Sequence, residues 1–331
     1  MTQDVLFQKI DKKSSIICVI GLGQVGLPTA LTFSSAGFEV IGNDINSKIL
    51  SLLKSKKSPI AEGGIENLLS TCVDAKKFYT MANVEDAVKK ADIIIICVAT
   101  PITEDIRPNL SYLEQVCNAL SKLSLFNKLV IIESSIPPKT FENLVLPILS
   151  ENNKFGKDFW LAFVPERLAP GQALSEIRTT PRIIGAIDAV SSLMAKSLYE
   201  KIVNSQILQT SAQIAEISKL VENTYRDVNV ALANEVGLIC EKYGVDVSEL
   251  IKISNSHPRV NLLFPGPGVG GPCLPKDPYL LLNPQGQGPI TSKLIIDSRH
   301  INDKMPEHIV KLITDALTDN SKSLAKSTIL V

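Results

Sequence analysis

The stretch Ile16–Asp44, IICVIGLGQVGLPTALTFSSAGFEVIGND, decides the fold. It opens on a β-branched run, Ile16–Ile20, and passes straight into Gly21-Leu22-Gly23-Gln24-Val25-Gly26. An apolar helical pattern continues through Ala36, and Gly37 marks its stop. Glu39–Asn43 reads as a second strand and closes on Asp44. Strand, G-x-G-x-x-G, helix, strand and acid, in that order, make a dinucleotide-binding βαβ unit. The glycines permit a tight turn and close approach of backbone to a pyrophosphate, and the helix N-terminus offers N–H groups to it. Asp44, eighteen residues past Gly26, is placed to accept hydrogen bonds from ribose hydroxyls. A carboxylate there repels a 2′-phosphate, so the expected cofactor is NAD rather than NADP. Gly21, Gly23, Gln24, Val25, Gly26 and Asp44 are its expected contacts. The competing reading is a glycine turn in an ordinary βαβ unit.

Outward from this unit the alternation continues. Phe78–Met81 reads as an edge strand. Ala91–Val98 is apolar throughout, as a parallel strand covered on both faces should be, and ends at Ala99-Thr100-Pro101. Leu129–Ile132 ends at Glu133-Ser134-Ser135-Ile136-Pro137-Pro138. Thr100, Ser134 and Ser135 thus fall at strand carboxyl ends, where open α/β sheets bind ligands. Ser134 and Ser135 could equally cap a following Pro-started helix. Phe159–Val164 leads to Pro165-Glu166-Arg167, and Arg182–Ile187 and Ile207–Thr210 complete seven or eight strands. The expected class is α/β: an N-terminal Rossmann doubly wound sheet, then a mostly helical central domain.

That second part opens on 211–243, a proline-free span interrupted only by Gly237 and about 50 Å long as a helix. Ile214, Ile217, Leu220, Val221, Val228, Leu232, Val236 and Ile239 recur at helical spacing. Lys219 and Asn223 are four apart and share a face, where an ammonium and an amide could hold an oxygen gaining negative charge; a solvated stripe is the alternative. A helix this long with a second apolar face suggests a partner subunit. After Val247–Ser254, read as a helix, come His257-Pro258-Arg259 and then Asn261–Pro278, NLLFPGPGVGGPCLPKDP. Four glycines and five prolines frame one thiol there, Cys273, beside Lys276 and Asp277. A thiol on an irregular loop beside ionisable groups is a setting for thiolate chemistry, though free cysteine is commonly a small buried hydrophobe. On the loop alone both readings stand. Cys18, Cys97 and Cys240 lie in apolar runs and are expected in the core, with Cys72 and Cys117 assigned there by default. Arg259 could pair with a phosphate, and His257 is expected to order the loop rather than catalyse. A last helix is expected from Pro289 to about Leu317, with Ser327–Val331 as a strand beginning.

Length and charge narrow the classes. The 331 residues suffice for two domains with real cores. With 34 basic and 34 acidic side chains the net charge is zero, which argues against nucleic-acid or membrane-surface partners. No apolar run reaches a membrane span, and the first fifteen residues lack a signal-peptide pattern. Scattered cysteines and three distant histidines give no disulfide framework or metal site. The expectation is a soluble, reduced, cytoplasmic protein.

GLGQVGLP, VPERLAPG, KLVENTYRDVNVALANE and HPRVNLLFPGPGVGGPCLPKDP resemble, in order and spacing, the UDP-glucose/GDP-mannose dehydrogenase family. The resemblance covers the chain after Ile16. PERLAPGQ and the HPRVN…PGPGVGG block resemble its UDP-N-acetyl-D-mannosamine branch, as does Pro170, which stands where the UDP-glucose branch carries a second acid. UDP-N-acetylglucosamine enzymes are close relatives. The resemblance implies four-electron oxidation of a UDP-sugar primary alcohol to a carboxylate by two NAD in succession. It implies Cys273 as nucleophile, Lys219 and Asn223 as oxyanion stabilisers, Asp277 as loop acid and Glu166 acting through water. Thr100, Ser135 and Lys276 join the cofactor contacts. Arg167, Leu168, Lys219, Asn223, Arg226, His257, Arg259, Asn261, Gly266 and Gly270 are expected to contact the UDP-sugar, with a homodimer through helix 211–243. The implied domains are 1–210 for NAD, 211–318 for the central part, and 319–331 as the start of a UDP-binding domain that family members continue for about 100 residues. Weak or absent turnover would follow from its lack. The alternatives are a one-step β-hydroxyacid-type dehydrogenase needing no thiol, and a non-catalytic NAD-binding dimer module.

Overall fold

The computed structural model describes residues 2–169 and 171–330. Pro170, which bears on the sugar branch, and Val331 lie outside the described residues. Eight strands form one sheet: β1 (Ile16–Ile20), β2 (Glu39–Asn43), β3 (Phe78–Thr80), β4 (Ile93–Ile96), β5 (Lys128–Ile132), β6 (Phe159–Phe163), β7 (Arg182–Ala186) and β8 (Ile207–Ser211). Their order is β3-β2-β1-β4-β5-β6-β7-β8. All neighbours pair in parallel except β6 and β7, which run antiparallel with Ala162 opposite Ala186. The order reverses between β1 and β4, so a crevice opens at their carboxyl ends, where this topology binds ligands.

The helices are α1 (Thr2–Asp11), α2 (Gly26–Ser35), α3 (Ser47–Lys54), α4 (Ile65–Asp74), α5 (Val84–Lys90), α6 (Ser111–Ser121), α7 (Leu146–Leu149), α8 (Ala173–Thr179), α9 (Ala189–Tyr199), α10 (Ala212–Tyr243), α11 (Val247–Ser254), α12 (Asp277–Leu282) and α13 (Lys293–Asp319). Strand pleating divides the core. Ile17, Val19, Ile93, Ile95, Leu129 and Ile131 pack on one face with Leu6 and Ile10 of α1, Leu31 of α2 and Leu198 of α9. Cys18, Ile20, Ile94, Ile96, Val130 and Ile132 pack on the other with Leu113 and Leu120 of α6. Both faces are dry, which is why β4 reads as unbroken isoleucine. α1 was not anticipated: its two core residues, Leu6 and Ile10, are four apart, too few to stand out as a periodic pattern.

Two compact units divide the chain, one of residues 1–219 with 283–289, the other of 220–282 with 290–331. The division falls inside α10, whose first turns pack on the sheet. Ala212 and Ala215 are buried, and a Cβ on Gly185 of β7 would meet the Ala215 methyl at 2.6 Å. The second unit buries polar side chains beside its apolar ones. Asp227, Asn234, Arg299 and Asn302 are all at most 1% exposed. Ser327–Leu330 form no strand: the segment lies among mostly exposed residues with no ladder partner to complete it. Among the described residues no helix is long and apolar enough to cross a membrane, and no His/Cys/Asp/Glu group could hold a metal.

Candidate functional site

In the sheet unit the glycine loop leaves β1 with Gly21 N–H on Asn43 O at 2.8 Å. Gly21 has φ 90°, and a Cβ there would meet Cys97 O at 2.7 Å. A Cβ on Gly26 would overlap Gly21 O and meet Cys97 Cβ at 3.0 Å. Gly23 faces open space, and Val25 precedes α2 without a side-chain cap, so the α2 N-terminus is left to a ligand. This cradle fits a dinucleotide pyrophosphate. Asp44 accepts from Leu22 N–H and Asn46 N–H, both at 2.8 Å, which ties the loop to the end of β2. Gln24 is exposed beside it.

Across the crevice Thr100 Oγ1 donates to Ser135 O at 2.6 Å, so these two predicted residues meet at the ends of β4 and β5. Ser134 Oγ donates to Val98 O at 2.7 Å. No helix starts at Ser134 or Ser135, so neither caps one; the chain turns through Pro137 and Pro138 into a π-helical turn, Phe141–Val145. Glu166 is buried after β6 and accepts from Leu168 N–H. Arg167 donates to Pro181 O at 2.7 Å, so its guanidinium also orders the unit. Sequence reasoning passed over Glu216, buried at the start of α10. It accepts from Lys139 N–H and Phe141 N–H, each at 2.8 Å. Burial pushes its carboxyl up to about 7, and Glu142 adds to the shift.

In the helical unit the Cys273 carbonyl accepts from Lys276 N–H at 3.1 Å and Asp277 N–H at 3.0 Å, turning the loop into α12. Asp277 is fully buried. Its Oδ1 lies 3.2 Å from Lys276 Nζ, and its Oδ2 accepts from Asn223 Nδ2 at 2.5 Å. Cys273, Lys276, Asp277 and Asn223 are therefore brought together; Lys276, expected at the cofactor, is an ion-pair partner of Asp277. Lys219 lies one turn before Asn223 on α10 and is 5% exposed, which excludes the solvated stripe. Arg226, His257, Arg259, Asn261 and Gly270 are exposed. His257 Nδ1 accepts from Arg259 N–H at 3.4 Å, in keeping with a loop-ordering role.

The residues that hold this loop were missed. Asn234 Oδ1 accepts from Gly266 N–H at 2.9 Å, and Asn234 Nδ2 donates to Asn302 Oδ1 at 2.9 Å. Asn302 donates to Asp227, which pairs with Arg299 at 2.6 Å. Asn255 brackets Leu262 through its N–H and carbonyl at 2.7 and 3.0 Å. A Cβ on Gly268, φ 111°, would meet Asn302 O at 2.8 Å. The only hint in the sequence was polar side chains at apolar-spaced positions of α10.

The other thiols are set apart from Cys273. Cys18, Cys72, Cys117 and Cys240 are buried, and burial pushes Cys18 and Cys117 up to about 12. Cys97, expected in the core, packs partly buried against it and donates to Glu133 Oε2 at 3.3 Å.

Residues 15–203 match the NAD binding domain of the UDP-glucose/GDP-mannose dehydrogenase family, and residues 213–304 match its central domain. A UDP-N-acetyl-D-mannosamine dehydrogenase of Pyrococcus horikoshii is 43% identical over 304 residues, covering 91% of this chain and 71% of that protein. An NDP-N-acetyl-D-galactosaminuronic acid dehydrogenase of Ralstonia nicotianae is 38% identical over 315 residues, covering 93% and 73%. The solved structure of the UDP-D-ManNAc dehydrogenase from Pyrococcus horikoshii superposes with a TM-score of 0.86 at 41% identity, covering 93% of this chain and 72% of that one. With NAD-domain and central-domain matches spanning the cradle and the Cys273 loop, the chain belongs to the UDP-glucose/GDP-mannose dehydrogenase family.

Proposed function

We propose that this protein is an NAD-dependent 6-dehydrogenase of a UDP-N-acetylhexosamine, UDP-N-acetyl-D-mannosamine first. The observation that carries the reading is the grouping of Cys273 with Lys276, buried Asp277 and Asn223, in a chain whose relatives bear that enzyme's name. The Gly21–Gly26 loop and Asp44 would hold NAD, which would supply the hydride acceptor for each of two oxidations. Cys273 supplies what the second oxidation needs. An aldehyde has no alcohol hydrogen to lose, whereas its thiohemiacetal with Cys273 does; oxidation of that adduct gives a thioester, and water releases the acid and the thiol. Lys219 and Asn223 stabilise the oxygen that gains charge, and Asp277 fixes the Asn223 amide through its Oδ2. Glu166 orients the water in hydrolysis. Arg167, Leu168, Arg226, His257, Arg259, Asn261, Gly266 and Gly270 are proposed sugar-nucleotide contacts.

We also propose a homodimer through α10. Ile214, Val221, Tyr225, Leu232, Ile239 and Tyr243 are exposed at spacings of seven and four, an apolar stripe along one face that a second copy would cover. The test of the activity is NADH yield on a panel of UDP-N-acetyl-D-mannosamine, UDP-N-acetylglucosamine and UDP-glucose. Two NADH per UDP-N-acetyl-D-mannosamine consumed, lost in Cys273→Ala, supports the reading. One NADH per sugar, or a Cys273→Ala variant at normal rate, points to the one-step alternative.

A further inference from the structure

Beneath the glycine loop lies a buried carboxylate that no step above uses. Glu133, just past β5, is 1% exposed. Its Oε2 accepts from Thr29 Oγ1 at 3.1 Å and Cys97 Sγ at 3.3 Å, and its Oε1 accepts from Tyr199 OH at 2.5 Å. The three donors stand on three elements: Thr29 in the first turn of α2, Cys97 just past β4, and Tyr199 at the end of α9. Thr29 and Tyr199 are as buried as Glu133 itself. The Arg182 guanidinium, also buried, lies 5.5 Å from the Tyr199 ring centroid. Burial first, and then the Glu133 charge, pushes both Tyr199 and Cys97 well above their ordinary ranges, which keeps both as donors.

A buried carboxylate costs several kcal/mol unless its lone pairs are filled. Its position gives it a use. A Cβ on Gly21 would strike Cys97 O at 2.7 Å, and one on Gly26, besides overlapping Gly21 O, would meet Cys97 Cβ at 3.0 Å, so Cys97 floors the phosphate loop. Thr29 follows Gly26 by three residues on the helix whose N-terminus faces the crevice. Glu133 itself donates its N–H to Ile96 O at 2.9 Å and directly precedes Ser134 and Ser135. One carboxylate thus bolts the first turn of α2 to the ends of β4 and β5. We propose that Glu133, through Thr29, Cys97 and Tyr199, is a positioning residue that sets the height of the phosphate loop for NAD. The inference rests on NAD binding at that loop and is independent of the sugar assigned above.

The test is calorimetric affinity for NAD and, separately, for the UDP-sugar, with melting temperatures of the ligand-free proteins. Glu133→Gln keeps the shape but replaces one acceptor oxygen by a donor that faces hydroxyls and a thiol. NAD affinity should fall about tenfold, the scale of one lost hydrogen bond to a charged group, with UDP-sugar affinity unchanged. In turnover, KM for NAD should rise while KM for the sugar stays. Tyr199→Phe and Thr29→Val should each weaken NAD in part, and neither should add to Glu133→Gln, since all three act through one carboxylate. A Glu133→Gln protein that melts lower yet binds NAD as before would show a merely structural group and overturn the inference. If Glu133→Gln does not fold, Thr29→Val and Tyr199→Phe decide: unchanged NAD affinity in both overturns it. Wild-type protein that binds no NAD would sink the cofactor reading itself, an outcome distinct from either.

Discussion

The two units of this chain hold their functional groups by different physics. In the sheet unit both dry clusters of the core lie against the strands, and the cofactor loop is shaped by backbone: Gly21, Gly26 and the strand ends leave no room for anything else. Among the described residues no comparable apolar cluster forms in the helical unit. The Cys273 loop is tethered by side chains: Asn234 to Gly266, Asn255 to Leu262, and Asp277 to Asn223, with Asp227, Arg299 and Asn302 buried behind them. A backbone cradle tolerates most side-chain changes and fails at its glycines. A tether of carboxamides and ion pairs fails one polar residue at a time. Perturbations should therefore separate the halves.

The largest effect is expected at Asp227. Asp227→Ala leaves Arg299 buried with its nearest buried partner gone, a loss of about 3–5 kcal/mol. Urea unfolding should show the cost; a loss below about 1 kcal/mol would mean the helical unit does not depend on this pair. Next is Asp44→Arg, which removes the proposed ribose acceptor and the anchor of Leu22 N–H. NAD affinity should fall about 10- to 100-fold with UDP-sugar affinity unchanged, and equal affinity would refute the cofactor assignment. Asn234→Ala should cost about 1–2 kcal/mol and act mainly on the loop, since Gly266 N–H loses its acceptor. A lower kcat at constant KM for NAD would express that, whereas a raised KM for NAD would blur the division between the units.

The last concerns pH and Glu216. Its carboxyl sits at about 7 in the fold against an ordinary 4.5, so between these values the folded state holds a proton the unfolded chain has released. Its contribution is complete below pH 4.5 and is lost as pH rises through about 7. The stability difference between wild type and Glu216→Gln, from urea midpoints at about pH 5 and about pH 8, should shrink at the higher pH. A difference constant with pH would contradict the shift.

Legibility in the sequence followed the same division. Wherever a strand is β-branched and dry on both faces, as at β1, β4 and β5, its apolar run announced it, and Gly21–Gly26 announced the loop. The antiparallel entry of β7 left no local mark, because an apolar strand reads the same in either direction. Glu133 did leave one, an acid closing an apolar strand, yet its use depends on Thr29, Cys97 and Tyr199, up to 104 residues away in sequence. Asn223 and Lys219 were placed by helical spacing and resemblance together. Asn234, Asn255, Asp227 and Arg299 were not, since their partners are set only once α10, α13 and the loop pack. The strand expected at 327–331 came from a short apolar run and the resemblance, and apolar residues without a neighbouring strand do not form one over 327–330.

Central to the account is Cys273 as the atom that carries the sugar between two oxidations. The direct measurement is intact-peptide mass spectrometry of enzyme quenched during turnover of UDP-N-acetyl-D-mannosamine, in wild type and in Glu166→Gln, where hydrolysis should slow. The account predicts the mass of a thioester-linked sugar nucleotide on the Cys273 peptide, more abundant in Glu166→Gln, with NADH formed ahead of free acid. Two NADH per sugar with no adduct at Cys273 in either protein would contradict it.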